Sequence, residues 1–417
     1  MRGDTQLEPR GAPDLARMRR DRGRRLREEM ARQEVDALLL LGRSNVNYAT
    51  GAASLNADAG RIHLQPCVAL VTRDDPAAHL FTPYPEGAPP ELAADHLHEP
   101  LCPELGSGVR EMARVLRTLL GSEAAVRLGI DESSAAMHTA LPGLLPRTRF
   151  ADASPVTTVA RVCKTADEIE CIRFAQHVNE VAMRDVQAAL RPGVRQCDLS
   201  ALFLRRIFDL GATGNVVNPI WEVVPPRVAA GPFTLTGEVV FPLVSTDRVL
   251  GESDVVWVDT GISYQGYASD FGRTWIASDA PRPSARQREQ FARWQEVVER
   301  VLGAVRPGAS GADLTAAALA GAGHAPALSA GPGSARPWLT HLYLAHGVGL
   351  DSAEAPLVGT DLGDEFDRSI VLAPGMILVL EPVIWEEGHA GYRSEEIVAV
   401  TETGYEKLSD YPYGPYE

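Results

Sequence analysis

Asp259 closes the short apolar run Asp254-Val-Val-Trp-Val-Asp259, and Asp270 follows shortly after it. Two carboxylates brought together repel each other, so they either share a proton or bind a cation. Farther on, His346 opens a His-Gly-Val-Gly run, Glu381 ends the apolar stretch from Met376 to Leu380, and Glu395 follows Arg393-Ser394. Taken singly, each acid reads as a solvated strand end. Taken in order, they are four carboxylates and one imidazole that a sheet could gather. Hard oxygen donors with one nitrogen suit Mn²⁺, Fe²⁺, Co²⁺ or Zn²⁺. Four acids are too many for one such ion. They suit two ions bridged by carboxylates, which cancels the repulsion among the acids. Two divalent metal ions are therefore the expected cofactor. Other donors lie close by in sequence. His341 and Arg393 join Glu381 as candidate catalytic groups, and Trp221, Tyr267, Arg273 and Tyr343 as candidate substrate contacts. His341 reads equally well as a hydrogen-bonded core histidine. Trp221, Phe233 and Phe241 line an apolar pocket or, on the plainer reading, pack in the core.

The elements that must position these residues are legible from pattern. Residues 254–259 and 267–276 read as two strands, with a tight turn between Gly261 and Gly266; a hairpin of that kind sets Asp259 beside Asp270. Glycines after His346 would let the backbone approach a bound group closely. Upstream, Thr165 and Glu168 form a capping box, and Ile169, Ile172, Val178, Ala182, Val186 and Leu190 recur at helical spacing until Pro192-Gly193 stops the helix. That stop has a copy. Arg191-Pro192-Gly193 precedes Asp198-Leu199, and Arg306-Pro307-Gly308 precedes Asp313-Leu314 at the same offsets. Chance pairing of a helix stop with a capping aspartate is one explanation. The other is an internal duplication, with two helix-pair halves packed on sheet.

The remainder of the chain bounds the function. With 417 residues, two or three domains are expected, and apolar residues at 45% and charged residues at 23% describe a folded protein. The formal net charge of -15 disfavours nucleic acid as a partner. Lysine occurs only at 164 and 407, neither at the end of a glycine-rich loop, which argues against P-loop and Schiff-base chemistry. Five cysteines without a C-x-x-C pattern suggest reduced, mostly buried thiols in a cytoplasm. No apolar run reaches membrane-spanning length, so no membrane partner is expected. Residues 1 to about 14 read as a loose tail. A helix at 15–32, strands at 35–41, 67–71 and 126–130, a turn at Gly42 to Asn45, and a helix at 109–120 suggest an α/β domain over residues 1–155. His63, His79, His96, His98 and His138 show no ligand-like spacing and read as surface or structural histidines.

The order Asp259, Asp270, His346-Gly-x-Gly, Glu381-x-Pro and Arg393-x-Glu395 resembles the pita-bread metalloenzymes, which include creatinase, prolidase, aminopeptidase P and methionine aminopeptidase. The resemblance covers about 160–417, and more weakly the creatinase/prolidase-type N-terminal domain in 1–155. It implies an α/β N-terminal domain, and an α+β pita-bread domain with an internal pseudo-two-fold repeat. It implies that Asp259 chelates one metal, that His346 binds the other, and that Asp270, Glu381 and Glu395 complete and bridge the pair. The nucleophile would be a bridging water whose proton passes to Glu381. A homodimer is the expected assembly. Two departures stand out. The peptidases keep a histidine on the strand leading to the first aspartate, where this chain has Phe241-Pro242-Leu243. They keep another after the His-Gly-x-Gly loop, where this chain has Ala353. Each missing donor should lower amide hydrolysis by roughly 10²–10⁴. The sequence therefore favours hydrolysis or lyase-type cleavage of a small molecule. An Xaa-Pro aminopeptidase or dipeptidase is the first alternative, and a metal-free binding module the second.

Overall fold

The computed structural model describes residues 6–53, 64–121, 125–224, 246–320, 343–360, 362–386 and 388–414. The chain divides into two compact units, Asp14–Arg161 and Met1–Pro13 with Val162–Glu417. In the first unit, α1 (Leu15–Arg32) is capped by the Asp14 carboxylate, which accepts from the Arg17 N–H. Then come β1 (Ala37–Leu40), α2 (Arg43–Thr50), β2 (Val68–Thr72), β3 (His79–Phe81), β4 (Leu97–His98), α3 (Gly106–Leu120), β5 (Arg127–Ile130), α4 (Ala135–Leu144), β6 (Arg149–Asp152) and α5 (Ser154–Val162). The six strands form one mixed sheet in the order β4-β3-β2-β1-β5-β6. All four side chains of β1 are buried, as expected of a central strand covered on both faces. The turn expected at Gly42 to Asn45 is instead the start of α2. The Asp131 carboxylate accepts from the N–H groups of Leu41 and Gly42 and from the Asn45 amide, an anchor 86 or more residues away that no local pattern announces.

In the second unit, α6 (Ala166–Ala189) and α7 (Gln196–Leu210) lead into β7 (Gly214–Val223). Next are β8 (Asp254–Tyr264), β9 (Tyr267–Ala268), β10 (Phe271–Ala277), α8 (Ala285–Ala304) and α9 (Gly311–Leu319). After these come β11 (Ala345–Gly347), β12 (Glu354–Val358), α10 (Asp364–Ser369), β13 (Ile377–Leu380), β14 (Val383–Trp385), β15 (Gly391–Arg393), β16 (Glu396–Val400) and β17 (Tyr405–Lys407). One antiparallel sheet runs β10-β8-β7. A second runs β12-β11-β13-β16-β17, and β14 pairs with β15. The Thr165 capping box forms as expected, and Ser284 and Ser310 build two more. Helices α6 and α7 close one apolar core against the first sheet, around Phe174, Phe203, Trp221 and Phe271. Helices α8 and α9 close another against the second sheet, around Trp294, Leu314, Leu378 and Val398.

The copied segments occupy matching settings. Gly193 and Gly308 both take positive φ, 88° and 80°. The Gly193 N–H donates to the Leu250 carbonyl at 2.8 Å, and the Gly308 N–H to that of Leu372 at 2.9 Å. Arg195 then bridges Val249 as Ser310 bridges Val371. Asp198 and Asp313 sit at the third helical position rather than at the cap itself. The expected tail is tethered at Leu7, whose N–H donates to the Leu210 carbonyl. All five cysteines are free thiols. Cys67 and Cys171 are buried, whereas Cys102, Cys163 and Cys197 are half-buried, so most are not fully enclosed. Among the described residues no helix is long and apolar enough to cross a membrane.

Candidate metal centre

Strands β8 and β10 pair antiparallel, with Asp259 opposite Gly272. The link between β8 and β9 is a two-residue turn, Gln265-Gly266, with φ of 53° and 87°, as a type I′ hairpin requires. Helix α6 fixes this ribbon from behind. The Asn179 amide donates to the Thr260 carbonyl at 2.9 Å and to Ser269 Oγ at 3.0 Å. Gln176 Oε1 accepts from the Asp270 N–H at 3.2 Å. From the second sheet, β11 supplies His346, the end of β13 supplies Glu381, and Glu395 lies between β15 and β16. Its N–H donates to the Gly272 carbonyl at 3.0 Å, and Ser394 Oγ donates there too.

All five expected ligands converge. Carboxylate oxygens of Asp259, Asp270 and Glu395 lie within 4.8 Å of one another. His346 Nε2 lies 3.3 Å from Asp270 Oδ2 and 3.1 Å from Glu381 Oε1. His346 Nδ1 is 2.8 Å from the Gly347 carbonyl; an N–H at Nδ1 donating there leaves the Nε2 lone pair directed at the carboxylates. One nitrogen of Arg393, Nη2, faces Asp259 at 3.0 Å, Glu381 at 2.6 Å and Glu395 at 2.5 Å. That nitrogen carries two hydrogens for three carboxylates, and Glu395 Oε2 is buried without a hydrogen-bond partner. Even with His346 protonated, four acids face two cations.

The titration of the group follows from this surplus. Burial, with Asp270 and Glu381 adding to it against Arg393, pushes Asp259 up to about 6. Burial and then Asp270 raise Glu395 well above the usual carboxylate range. Burial alone would lower His346, but hydrogen bonds to Asp270 and Glu381 outweigh it and raise the imidazole well above its ordinary value. The donor set thus fits divalent cations. It is buried, acidic, oxygen-rich and carries one correctly turned imidazole.

Glycines near the site serve the fold rather than a bound group. A Cβ at Gly349 would collide with the Glu354 carboxylate, and one at Gly347 with the Ala355 carbonyl, so these residues let β12 close on β11. Gly272 has the same character and was not singled out by sequence. A Cβ there would strike the Glu395 carboxylate. A glycine inside a strand was the available signal.

Three expected substrate contacts are committed elsewhere. Trp221 is buried in the core with its Nε1–H donating to Ser200 Oγ at 2.7 Å. Tyr267 is buried and donates to Glu168 Oε1 at 2.7 Å, tying the hairpin to the capping box. Arg273 donates to the carbonyls of Gly272, Glu395, Tyr411 and Pro412 and is 3% exposed, so it buttresses the site from behind. Arg393, expected as a catalytic group, is spent on the carboxylates of Asp259, Glu381 and Glu395. The Tyr343 ring packs 5.0 Å from that of His346, and burial together with Glu381 and Asp270 raises its phenol. His341, Phe233 and Phe241-Pro242-Leu243 lie outside the described residues. Ala353 is exposed, and the Glu354 carboxylate beside it pairs with the buried Lys164 at 2.7 Å.

Residues 170–402, more than half of the chain, match Metallopeptidase family M24. The chain belongs to that family. Residues 22–163 match the Creatinase/Prolidase N-terminal domain. Membership makes the protein a metal-dependent hydrolase of the M24 type. It is 30% identical over 301 residues to the probable dipeptidase PepE of Mycobacterium bovis, covering 70% of each chain. It is 27% identical over 249 residues to the Xaa-Pro dipeptidase of Pyrococcus furiosus, covering 60% of this chain and 63% of the relative. The fold matches the crystal structure of prolidase from Thermococcus sibiricus with a TM-score of 0.74 at 20% identity, over 97% and 100% of the two chains. It matches dipeptidase PepE from Mycobacterium ulcerans with a TM-score of 0.71 at 23% identity, over 97% and 99%.

Proposed function

We propose that this M24 protein is a dinuclear-metal hydrolase that cleaves the amide bond of a short, dipeptide-sized substrate. The observation that carries the reading is the convergence of Asp259, Asp270, His346, Glu381 and Glu395 around an unneutralised negative surplus. The relatives named as dipeptidases support the substrate class. Asp259, Asp270, His346, Glu381 and Glu395 would hold the two ions, with Asp259 on one and His346 on the other. Bound there, the two ions would polarise a substrate carbonyl and acidify a water toward neutral pH. Glu381 is the proton carrier at Oε1, the atom that faces His346 Nε2. Arg393 holds three carboxylates in place and balances their charge. Helix α6 keeps the β8–β10 ribbon at the spacing the ligands need.

A second reading keeps the same metal chemistry with a non-peptide substrate. Ala353 favours it, because a methyl group stands where the peptidases carry a histidine. None of the relatives named above carries a name pointing to such a substrate. Steady-state assays with Gly-Pro, other dipeptides and Xaa-Pro-Xaa peptides, each with Mn²⁺, Co²⁺, Fe²⁺ and Zn²⁺, separate the two. Dipeptide kcat/KM near or above roughly 10⁴ M⁻¹s⁻¹, abolished in Asp270→Ala, supports the peptidase. Turnover absent from every peptide, in protein that binds two ions per chain, transfers the assignment to the second reading.

A further inference from the structure

Far along the sequence from the carboxylates, the edge of the N-terminal sheet gathers histidines that look unrelated in sequence. Strands β3 and β4 pair in parallel, with Leu80 opposite Leu97 and Phe81 opposite His98. This pairing sets the His79 and His96 rings face to face, 4.5 Å apart and 10° from parallel. Asp75, on the turn before β3, completes the group. Its Oδ2 lies 2.9 Å from His96 Nε2 and 3.9 Å from His79 Nε2. The expectation that these histidines are merely structural misses this, because His79 and His96 lie 17 positions apart and only strand pairing joins them.

We propose that Asp75, His79 and His96 form a separate mononuclear site for a borderline divalent cation of the Zn²⁺ type. One donor atom from each of the three lies within 4.8 Å of the others. Each donor is also oriented by a partner. His96 Nδ1 is 3.0 Å from the Asp95 carboxylate, the carboxylate–histidine pairing that fixes a metal-binding tautomer and leaves Nε2 as the ligand. His79 Nδ1 is 2.9 Å from His98 Nε2, which leaves His79 Nε2 available, and a turn of the His79 ring out of its stack on His96 would bring both Nε2 atoms onto one ion. Asp75 Oδ1 accepts from the Ala77 N–H at 2.9 Å, so Oδ2 is the oxygen turned inward. Arg27 donates to the main-chain carbonyls of Asp75 and Thr72 rather than to the carboxylate. Two imidazoles and one carboxylate suit Zn²⁺ or Co²⁺ and leave the fourth position for water.

The test uses the full chain and Co²⁺, whose visible absorption reports coordination. After equilibration with Co²⁺ and removal of excess, elemental analysis should find one ion more in the natural protein than in His96→Gln or Asp75→Asn. Independently of the carboxylate centre, a chain carrying Asp270→Ala and Glu395→Ala should retain one Co²⁺ with the intense bands of a low-coordinate site. Equal Co²⁺ content in the natural protein, His96→Gln and Asp75→Asn, with matching circular dichroism, would overturn the assignment. So would a folded Asp270→Ala, Glu395→Ala chain that binds no Co²⁺. Failure of the amide-hydrolysis assay leaves both measurements intact, so the two assignments stand or fall separately.

Discussion

At the scale of single residues, the site depends on a side chain that is absent. Gly272 faces Asp259 across the β8–β10 pair, and the Glu395 carboxylate occupies the space a Cβ would need. The carboxylate is the end of a flexible side chain, but Arg393 holds it among the other acids, so it cannot retreat without leaving them. Gly272→Ala should therefore lower metal content by at least one ion per chain. Stability of the metal-free protein should fall by about 1–3 kcal/mol, the usual range for overpacking a closed site. Elemental analysis and urea unfolding read the two effects, and unchanged metal content would show that Glu395 is not a ligand. The five residues that converge, Asp259, Asp270, His346, Glu381 and Glu395, were legible in the sequence as an ordered set of four acids and one imidazole. The duty of Arg393 was not, because a guanidinium two residues before Glu395 reads as a catalytic group until three carboxylates are seen around it. Arg273, Tyr267 and Trp221 were misread for the same reason: polar tips near the site turned out to be spent on carbonyls, a carboxylate and a hydroxyl.

At the scale of elements, helix α6 is the beam on which the Asp259–Asp270 ribbon rests. It starts with a reciprocal cap, in which Thr165 Oγ1 accepts from the Glu168 N–H and Glu168 Oε2 accepts from the Thr165 N–H. The other Glu168 oxygen accepts from Tyr267. Thr165→Ala removes one arm of this arrangement and should destabilise the protein by about 1 kcal/mol, seen as a lower urea midpoint at unchanged slope. A loss below a few tenths would mean that the Glu168 arm carries the cap alone. Helices announced themselves through caps and period. The capping box, the glycine stops and the copied Arg-Pro-Gly segments all emerge where pattern placed them. Short elements held by distant partners did not. Helix α2 relies on Asp131 for its anchor, and the β3–β4 pair that assembles the histidines is only two residues long at β4. Local sequence holds no trace of either.

At the scale of the whole molecule, the carboxylate centre joins two sheets, so cation binding is coupled to the folding of the second unit. An ion that binds only the folded chain stabilises it by about 2.7 kcal/mol at a hundred times its Kd. Thermal unfolding with saturating Mn²⁺ should rise by roughly 5 °C over that in EDTA. Asp270→Ala should lose most of that rise. Identical melting with and without Mn²⁺ would remove the case for a cation joining the sheets. The -15 net charge adds to the argument, since the buried surplus lies within a chain already rich in acids.

The matching helix-stop segments divide the clustered side chains as well as the fold. Asp259 and Asp270 precede the link to α8, whereas His346, Glu381, Arg393 and Glu395 follow it. Neither half holds a usable constellation: the first owns two acids with nothing to balance them, the second an imidazole and a guanidinium with half their counter-charges. A chain interrupted between Ser278 and Ser284 would thus yield two fragments mute on their own, whose reunion would be announced by the return of catalysis. The duplication has become a lock whose two keys are cut into different halves.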